Sequence, residues 1–155
     1  MKTNMQTIYA VKIMAFLYKK NGPCTSTEIS RCVGTSPEFV QNILSKLRKN
    51  KSLVETTMGA HGGYTLAKSP KEIKLSDIFE AVDDYPLMYS EKKNDSDDHF
   101  KLESCKKGEE NIRDHFRLMQ EEADRLFNIS LEDLVNGKSS DVYYQQFKMD
   151  DRSLE

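Results

Sequence analysis

Amide, hydroxyl and basic side chains are concentrated between residues 36 and 49. The amides of Gln41 and Asn42 can donate to and accept from base edges, most naturally those of adenine. Ser45, Lys46 and Lys49 are suited to phosphate oxygens. Each of these residues alone would fit an ordinary solvated helix surface, but together on one helix they predict a DNA-reading face. The predicted contacts here are Ser36, Glu38, Gln41, Asn42, Ser45, Lys46 and Lys49.

The three cysteines are a second place where chemistry could occur. Cys24 directly precedes a predicted helix, whose dipole would favour the thiolate and lower the pKa. Oxidation of Cys24 or Cys32 would place a polar group beside the DNA-reading helix and could release DNA. Cys105 is flanked by Lys106 and Lys107. We predict redox sensing at Cys24, Cys32 or Cys105; the alternatives are that Cys32 is a small buried hydrophobic residue and that Cys24 is only structural.

An iron–sulfur cluster is the alternative to thiol chemistry. A [2Fe–2S] cluster takes four ligands, mostly thiolates, and near Cys105 the sequence adds only His99, although a dimer could pool ligands from two chains. We therefore predict no cofactor and no metal site, and the cluster-dependent regulator remains the alternative. A further alternative is a winged-helix protein-interaction module that binds a partner protein and has no small-molecule sensor.

The sequence does not predict an enzyme. The histidines His61, His99 and His115 have no nucleophile or paired carboxylate at a recurring spacing. The glycines around His61 lack the strand–loop–helix context and the Lys-Ser/Thr pair of a phosphate-binding loop.

Apolar residues at helical spacing predict a first helix over residues 5–20. Gly22 offers the left-handed cap that would end it. The inner face of this helix is predicted to hold Ile8, Val11, Ala15 and Tyr18, with Met14 and Leu17 beside them.

Two capped helices follow, in the order of a helix-turn-helix. Thr25 and Glu28 form a capping box for a helix over 26–33. Ser36 caps the next helix, which runs to about Lys49. The residues expected to be buried are Ile29, Phe39, Val40, Ile43, Leu44 and Leu47.

A β-hairpin with a glycine-rich tip is predicted directly after the basic helix. Residues 53–57 and 64–66 are β-prone and flank a turn that holds Gly59, Gly62 and Gly63. A hairpin in this place is typical of the wing of a winged helix-turn-helix. The predicted fold class is mainly α with a small β-hairpin: a winged helix-turn-helix domain plus a long dimerisation helix.

After the wing, the sequence predicts an amphipathic helix over 74–83, a mobile acidic loop, a long helix over 104–127 and a short helix from Ser130. The long helix has apolar residues at steps of three and four, which would cross a second copy in a dimer. The alternative is that this stripe covers its own winged helix. The predicted interface residues are Ile112, Phe116, Met119, Ala123 and Phe127.

Charge divides the chain into two halves. Residues 1–75 carry 12 Lys and Arg against 4 Asp and Glu, a net charge of +8, whereas residues 76–155 carry 11 against 21, a net charge of −10. The basic half is the electrostatic signature expected for phosphate contacts; the alternative is two ordinary solvated faces. We predict a DNA-binding domain over 1–75, a connecting segment over 76–103, and a dimerisation helix, short helix and polar tail over 104–155.

The sequence has no apolar run of membrane-spanning length and no secretion signal, so a cytoplasmic protein is expected.

The motifs S-P-E-F-V-Q-N-I-L-S-K-L-R-K-N, M-G-A-H-G-G-Y-T-L-A and I-K-L-S-D-I-F-E-A-V-D together resemble the Rrf2 family of bacterial transcriptional regulators. The similarity covers about residues 1–135. The resemblance implies a homodimer with crossed long helices, wings that reach the minor groove, a palindromic promoter site in double-stranded DNA and, in many members, repression. It also implies DNA contacts from Thr7 and Tyr9 in the first helix and from Gly59, His61 and Gly62 in the wing.

Three departures from the family pattern alter these expectations. Met58 occupies the wing position where members often have an Arg that enters the minor groove, and His61 could supply part of that contact. Gln41-Asn42 replaces a Glu-Gln pair, so a different operator is expected. Members that hold a cluster have three closely spaced cysteines before the long helix, where this chain has only Cys105.

Overall fold

The computed structural model describes residues 4–83 and 106–138. Six helices and one two-stranded antiparallel sheet form in these residues. This confirms the predicted mainly α fold with a small β-hairpin. The elements are α1 (Met5–Lys20), α2 (Ser26–Val33), α3 (Pro37–Lys51), β1 (Val54–Thr57), β2 (Gly63–Leu66), α4 (Leu75–Val82), α5 (Lys106–Phe127) and α6 (Leu131–Asn136).

Helix α1 has the predicted bounds, but its cap and its buried face differ from the prediction. The left-handed residue at its end is Asn21, with φ of 50°, and not Gly22. Asn tolerates this conformation because its short polar side chain can hydrogen-bond locally. The predicted face is about one residue out of register: Ile8 is 37% exposed. The buried residues are Thr7, Ala10, Ile13, Met14 and Leu17.

The capping signals of α2 and α3 are confirmed. The Glu28 backbone N–H donates to Thr25 Oγ1 at 3.2 Å, and the Thr25 backbone N–H donates to Glu28 Oε2 at 2.8 Å. This second bond holds the pKa of Glu28 below its usual value. Ser36 Oγ accepts from the Phe39 backbone N–H at 3.2 Å at the start of α3. Helix α3 extends to Lys51, two residues past the predicted end.

The hydrophobic core lies between α1, α3 and α4 and extends past residue 75. Leu131 of α6 is fully buried in it, and the Leu131 backbone N–H donates to Ile73 O at 2.8 Å. The Leu75 backbone N–H also donates to Ile129 O at 3.0 Å. The segments around α4 and α6 therefore complete the core of the N-terminal domain. The fully or nearly fully buried residues of α3 and α4 are Val40, Ile43, Leu44, Leu47, Ile78, Ala81 and Val82.

Helix α5 is a 22-residue helix, which corresponds to a length of about 33 Å. Its C-terminal end contacts the domain through Phe127, whose ring meets that of Phe79 edge-on with centroids 4.8 Å apart. From Glu110 to Met119 every residue is exposed. Within the described residues, no helix is both long and apolar enough to cross a membrane. The predicted acidic loop, Cys105, His99 and the polar tail lie outside the described residues.

Candidate nucleic-acid interface

The outward face of α3 is polar because the inward face supplies the core. Val40, Ile43, Leu44 and Leu47 point inward. The helical repeat places Glu38, Asn42, Ser45 and Lys49 on the opposite side. Three of these four residues are exposed and Ser45 is half-buried. The structure therefore brings four of the seven side chains predicted to contact DNA together on one ridge.

Two predicted DNA contacts on the flanks of this ridge have partners within the protein. Gln41 Nε2 donates to Ser26 Oγ at 3.1 Å. Lys46 Nζ donates to Gln6 Oε1 at 2.9 Å. The roles of Ser26 and Gln6 could not be predicted from the sequence, because both bonds join residues that are distant along the chain.

The wing is an antiparallel hairpin with Val54 opposite Leu66 and Thr57 opposite Gly63. Its tip is open to solvent: Met58 is 91% exposed and His61 is exposed. Gly62 is required for the tight turn, because a Cβ atom there would lie 2.1 Å from the Thr57 carbonyl oxygen. The tip thus presents Gly59, His61 and Gly62 at the surface, where a groove contact would have to occur.

A pair of backbone bonds fixes the wing against the start of α2. The Cys24 backbone N–H donates to Tyr64 O at 3.1 Å, and the Tyr64 backbone N–H donates to Cys24 O at 2.8 Å. Gly63 permits this approach, since a Cβ atom there would lie 2.6 Å from the Cys24 carbonyl oxygen. The wing and the helix-turn-helix are therefore held in one arrangement before any ligand binds.

The two predicted contacts on α1 differ in exposure. Thr7 is 1% exposed and its hydroxyl has no hydrogen-bond partner in the described part of the chain. The predicted DNA contact of Thr7 is wrong, because α1 turns this side chain into the core. Tyr9 is half-buried, its ring meets Phe39 edge-on at 5.4 Å, and Lys12 Nζ lies 5.2 Å from its centroid. A DNA contact from Tyr9 stays a prediction.

The environments of the two described cysteines are the reverse of those expected. Cys24 is fully buried and its thiol donates to Gly22 O at 3.3 Å. Burial raises the pKa of this thiol, and the nearby Glu28 carboxylate adds to the effect. The prediction of a reactive thiolate at Cys24 is wrong, because desolvation outweighs the helix dipole. The alternative of a buried Cys32 is also wrong, since that residue is exposed.

The predicted dimer stripe of α5 is largely uncovered. Ile112 is 60% exposed, Phe116 64% and Met119 56%. Ala123 and Phe127 are half-buried, and Phe127 contacts the same chain's Phe79. Only the C-terminal end of the stripe thus packs on its own domain.

A helix-turn-helix with a polar outward ridge and a hairpin fixed beside it defines the class of winged-helix transcriptional regulators. The Rrf2 family model, described as an iron-dependent transcriptional regulator, matches residues 3–137. The chain belongs to the Rrf2 family. This confirms the resemblance, and it places the chain among regulators and not among enzymes.

Relatives and solved structures agree with this assignment. The HTH-type transcriptional regulator IscR of Pectobacterium atrosepticum is 33% identical over 136 residues, which is 84% of this chain and 76% of the relative. The structure of T. potens IscR has a TM-score of 0.64 at 23% identity and covers 88% of both chains. CymR, the global cysteine regulator of B. subtilis, has a TM-score of 0.58 at 26% identity over 88% of this chain and 97% of CymR.

The described residues do not fit an iron–sulfur cluster. Among them there is no group of three His, Cys, Asp or Glu side chains placed to hold a metal ion. Of the two described thiols, Cys24 is buried in the core and Cys32 is exposed on α2. The described part of one chain thus offers two separated thiols, and the candidate ligands Cys105 and His99 lie outside it.

Proposed function

We propose that this protein is a cytoplasmic, homodimeric repressor that binds a palindromic promoter site. The observation that carries the proposal is the ridge of Glu38, Asn42, Ser45 and Lys49, which faces away from the core beside a wing already fixed in place. In a helix-turn-helix the second helix enters the major groove and presents such side chains to base edges. With α3 in the major groove, the exposed wing tip contacts the adjacent minor groove in this proposal.

The exposed stripe of α5 supports the dimer. Contiguous apolar surface on a rod is unfavourable in water and is commonly covered by a second protein surface. Two copies related by a two-fold axis would cover each other's stripes and place two α3 helices on one side. Two recognition helices one DNA turn apart account for a palindromic site.

Binding to the protein's own promoter DNA at increasing salt tests the proposal. We expect affinity to fall steeply with salt, because Lys side chains release counterions from phosphates. Lys49→Glu should weaken binding about tenfold or more and reduce the salt slope by at least about one. Lys138→Glu makes the same charge change at an exposed residue of the α6 end and should have a much smaller effect. Binding that is independent of salt, or equal losses in both variants, would contradict the proposal.

We further propose that a thiol signal, if it acts through the DNA-binding domain, is read at Cys32. This thiol is open to solvent on α2, the helix that packs against α3. Peroxide should lower DNA affinity of the native protein and leave Cys24 unmodified, as measured by mass spectrometry of thiol-labelled peptides. Cys32→Ser should remove the response while Cys24→Ala keeps it. If only Cys105→Ser removes it, the signal is read outside this domain.

The proposed regulator works without a cluster. The measurement is the absorption spectrum and iron content of protein purified without oxygen. We expect a colourless protein with substoichiometric iron. Visible absorption bands together with stoichiometric iron would overturn this part of the proposal.

A further inference from the structure

We propose that Ser26 determines base specificity by orienting the amide of Gln41, an inference that rests on the proposed function. Ser26 is the first residue of α2, and Gln41 is in the second turn of α3. The Gln41 Nε2 donates to Ser26 Oγ at 3.1 Å. This hydrogen bond joins the two helices of the helix-turn-helix on the flank of the DNA-reading ridge.

Ser26 is the fixed member of this pair. Its backbone follows Thr25, whose side chain and backbone are both bonded to Glu28. Cys24, one residue earlier, is tied to the wing through Tyr64. Ser26 itself is half-buried, whereas Gln41 is exposed and has a long, rotatable side chain. In the observed arrangement Ser26 Oγ accepts from Gln41 Nε2, so Ser26 holds the glutamine amide beside α2.

In the observed orientation the side-chain amide of Gln41 has a defined hydrogen-bonding pattern. A primary amide has one acceptor oxygen and two N–H hydrogens. Ser26 accepts one of those hydrogens, which leaves Oε1 and the second N–H of Gln41 for a ligand. An adenine edge in the major groove offers the matching pair, an N6 donor and an N7 acceptor. Guanine offers only acceptors at this edge, so an amide held this way discriminates against it.

The neighbouring amide provides an internal comparison. Asn42 lies on the exposed ridge, and within the residues that the structure describes its side chain has no comparable partner. Ser30, the next serine of α2, is nearly buried and its hydroxyl donates to Thr27 O at 2.8 Å. The bond between Ser26 and Gln41 thus lets α2 position a base-reading amide of α3.

Selection of binding sites from a random DNA library tests the inference with the full-length protein. Wild type should prefer adenine over guanine by about fivefold or more at one position of each half-site. Gln41→Ala should remove the preference at that position. Ser26→Ala should reduce it to less than about twofold, leave other positions unchanged and weaken binding to the best site only a few-fold, since a single exposed hydrogen bond is modest.

Two further variants separate orientation from other effects. Ser26→Thr keeps the hydroxyl and should retain the adenine preference. Thr27→Ala removes a neighbouring exposed hydroxyl of α2 and should change nothing. Thermal unfolding followed by circular dichroism should show that every variant is folded at the selection temperature.

Several results would overturn the inference. A uniform loss of affinity in Ser26→Ala, with unchanged base preferences, would make Ser26 a phosphate contact. A guanine preference in wild type would mean that the amide faces the other way. An adenine preference that Ser26→Ala leaves intact would show that Gln41 reads the base unaided. Selection of no sequence by wild type would instead overturn the proposed function, and this inference with it.

Discussion

Helices α3 and α5 share a sequence pattern and differ in what covers it. Both have apolar residues three and four positions apart along an otherwise polar helix. In α3 the stripe residues Val40, Ile43, Leu44 and Leu47 are completely buried by the same chain. In α5 Phe116, at the middle of the stripe, is 64% exposed.

The difference lies in the surroundings of each helix. Helix α3 is enclosed by α1, α2 and α4, which close over its stripe and leave its polar face for DNA. Helix α5 contacts the domain near its C-terminal end, where Phe127 meets Phe79, and its residues 110–119 are exposed. An amphipathic pattern therefore predicts that a face will be covered, but the cover can be the same chain or a second one. In α5 the second copy is the proposed cover.

The largest effect is expected from charges placed on the α5 stripe. Phe116→Glu combined with Met119→Glu should convert the proposed dimer to a monomer, because buried unpaired carboxylates are strongly unfavourable at an apolar interface. Loss of the second half-site should weaken binding to a palindromic site by at least about a hundredfold. Analytical ultracentrifugation gives the mass, and fluorescence anisotropy gives the DNA affinity.

The matched control adds the same two charges away from the stripe. Asn111→Glu with Asn128→Glu changes exposed polar positions of α5 and its end and should leave both mass and affinity nearly unchanged. A stripe variant that remains a dimer would place the interface elsewhere and would leave the α5 stripe unexplained.

Two leucine truncations should show the opposite ranking of the two helices. For the free energy of unfolding, the substitution in α3 should have the larger effect. Leu44→Ala, at a fully buried position of α3, should lower the free energy of unfolding by about 2–5 kcal/mol. Leu118→Ala, on α5 but off the stripe and 56% exposed, should change it by less than about 0.5 kcal/mol. Urea unfolding monitored by circular dichroism measures both. Equal losses would mean that Leu118 is covered in the dimer and that the interface is wider than the stripe.

Local signals in the sequence were sufficient for most of the fold. The capping box of Thr25 and Glu28 and the Ser36 cap located the starts of α2 and α3, because each involves residues within one turn. The glycines of the wing located the hairpin for the same reason. The face of α1 was less well predicted, since Ile8 is more apolar than Thr7 but the surrounding helices bury Thr7.

The candidate site could be predicted only as a set of residues on one helix. The contacts of Gln41 with Ser26 and of Cys24 with Tyr64 join residues 15 and 40 positions apart, and no local pattern encodes them. For this reason the sequence suggested a reactive thiolate at Cys24, whose side chain is in fact fully buried. The sequence also left open a buried Cys32, although that position is exposed on α2.

The smallest expected effect is a change in stability when a contact between the last turn of α3 and α4 is removed. Lys51 pairs with Glu80, and Asn50 Nδ2 donates to Ala81 O at 2.6 Å. The hydrogen bond that Lys51 Nζ donates to the Glu80 carboxylate raises the pKa of Lys51. A raised folded-state pKa means that the contribution to stability is complete below the unfolded pKa of about 10.4 and is lost as the pH rises through the folded value.

Lys51→Met should therefore destabilise the domain at pH 7 and have progressively less effect as the pH rises through the raised pKa of Lys51. The loss at pH 7 should be only about 0.2–1 kcal/mol, because the side chains of Lys51 and Glu80 are 36% and 53% exposed. Lys49→Met is the control, since Lys49 is an exposed neighbour on the DNA-facing side, and it should leave the stability at pH 7 nearly unchanged. A loss in Lys51→Met that persists at high pH would mean that the methylene chain, and not the charge, packs on α4. Apolar burial would then stabilise the end of α3, as it stabilises the middle of this helix.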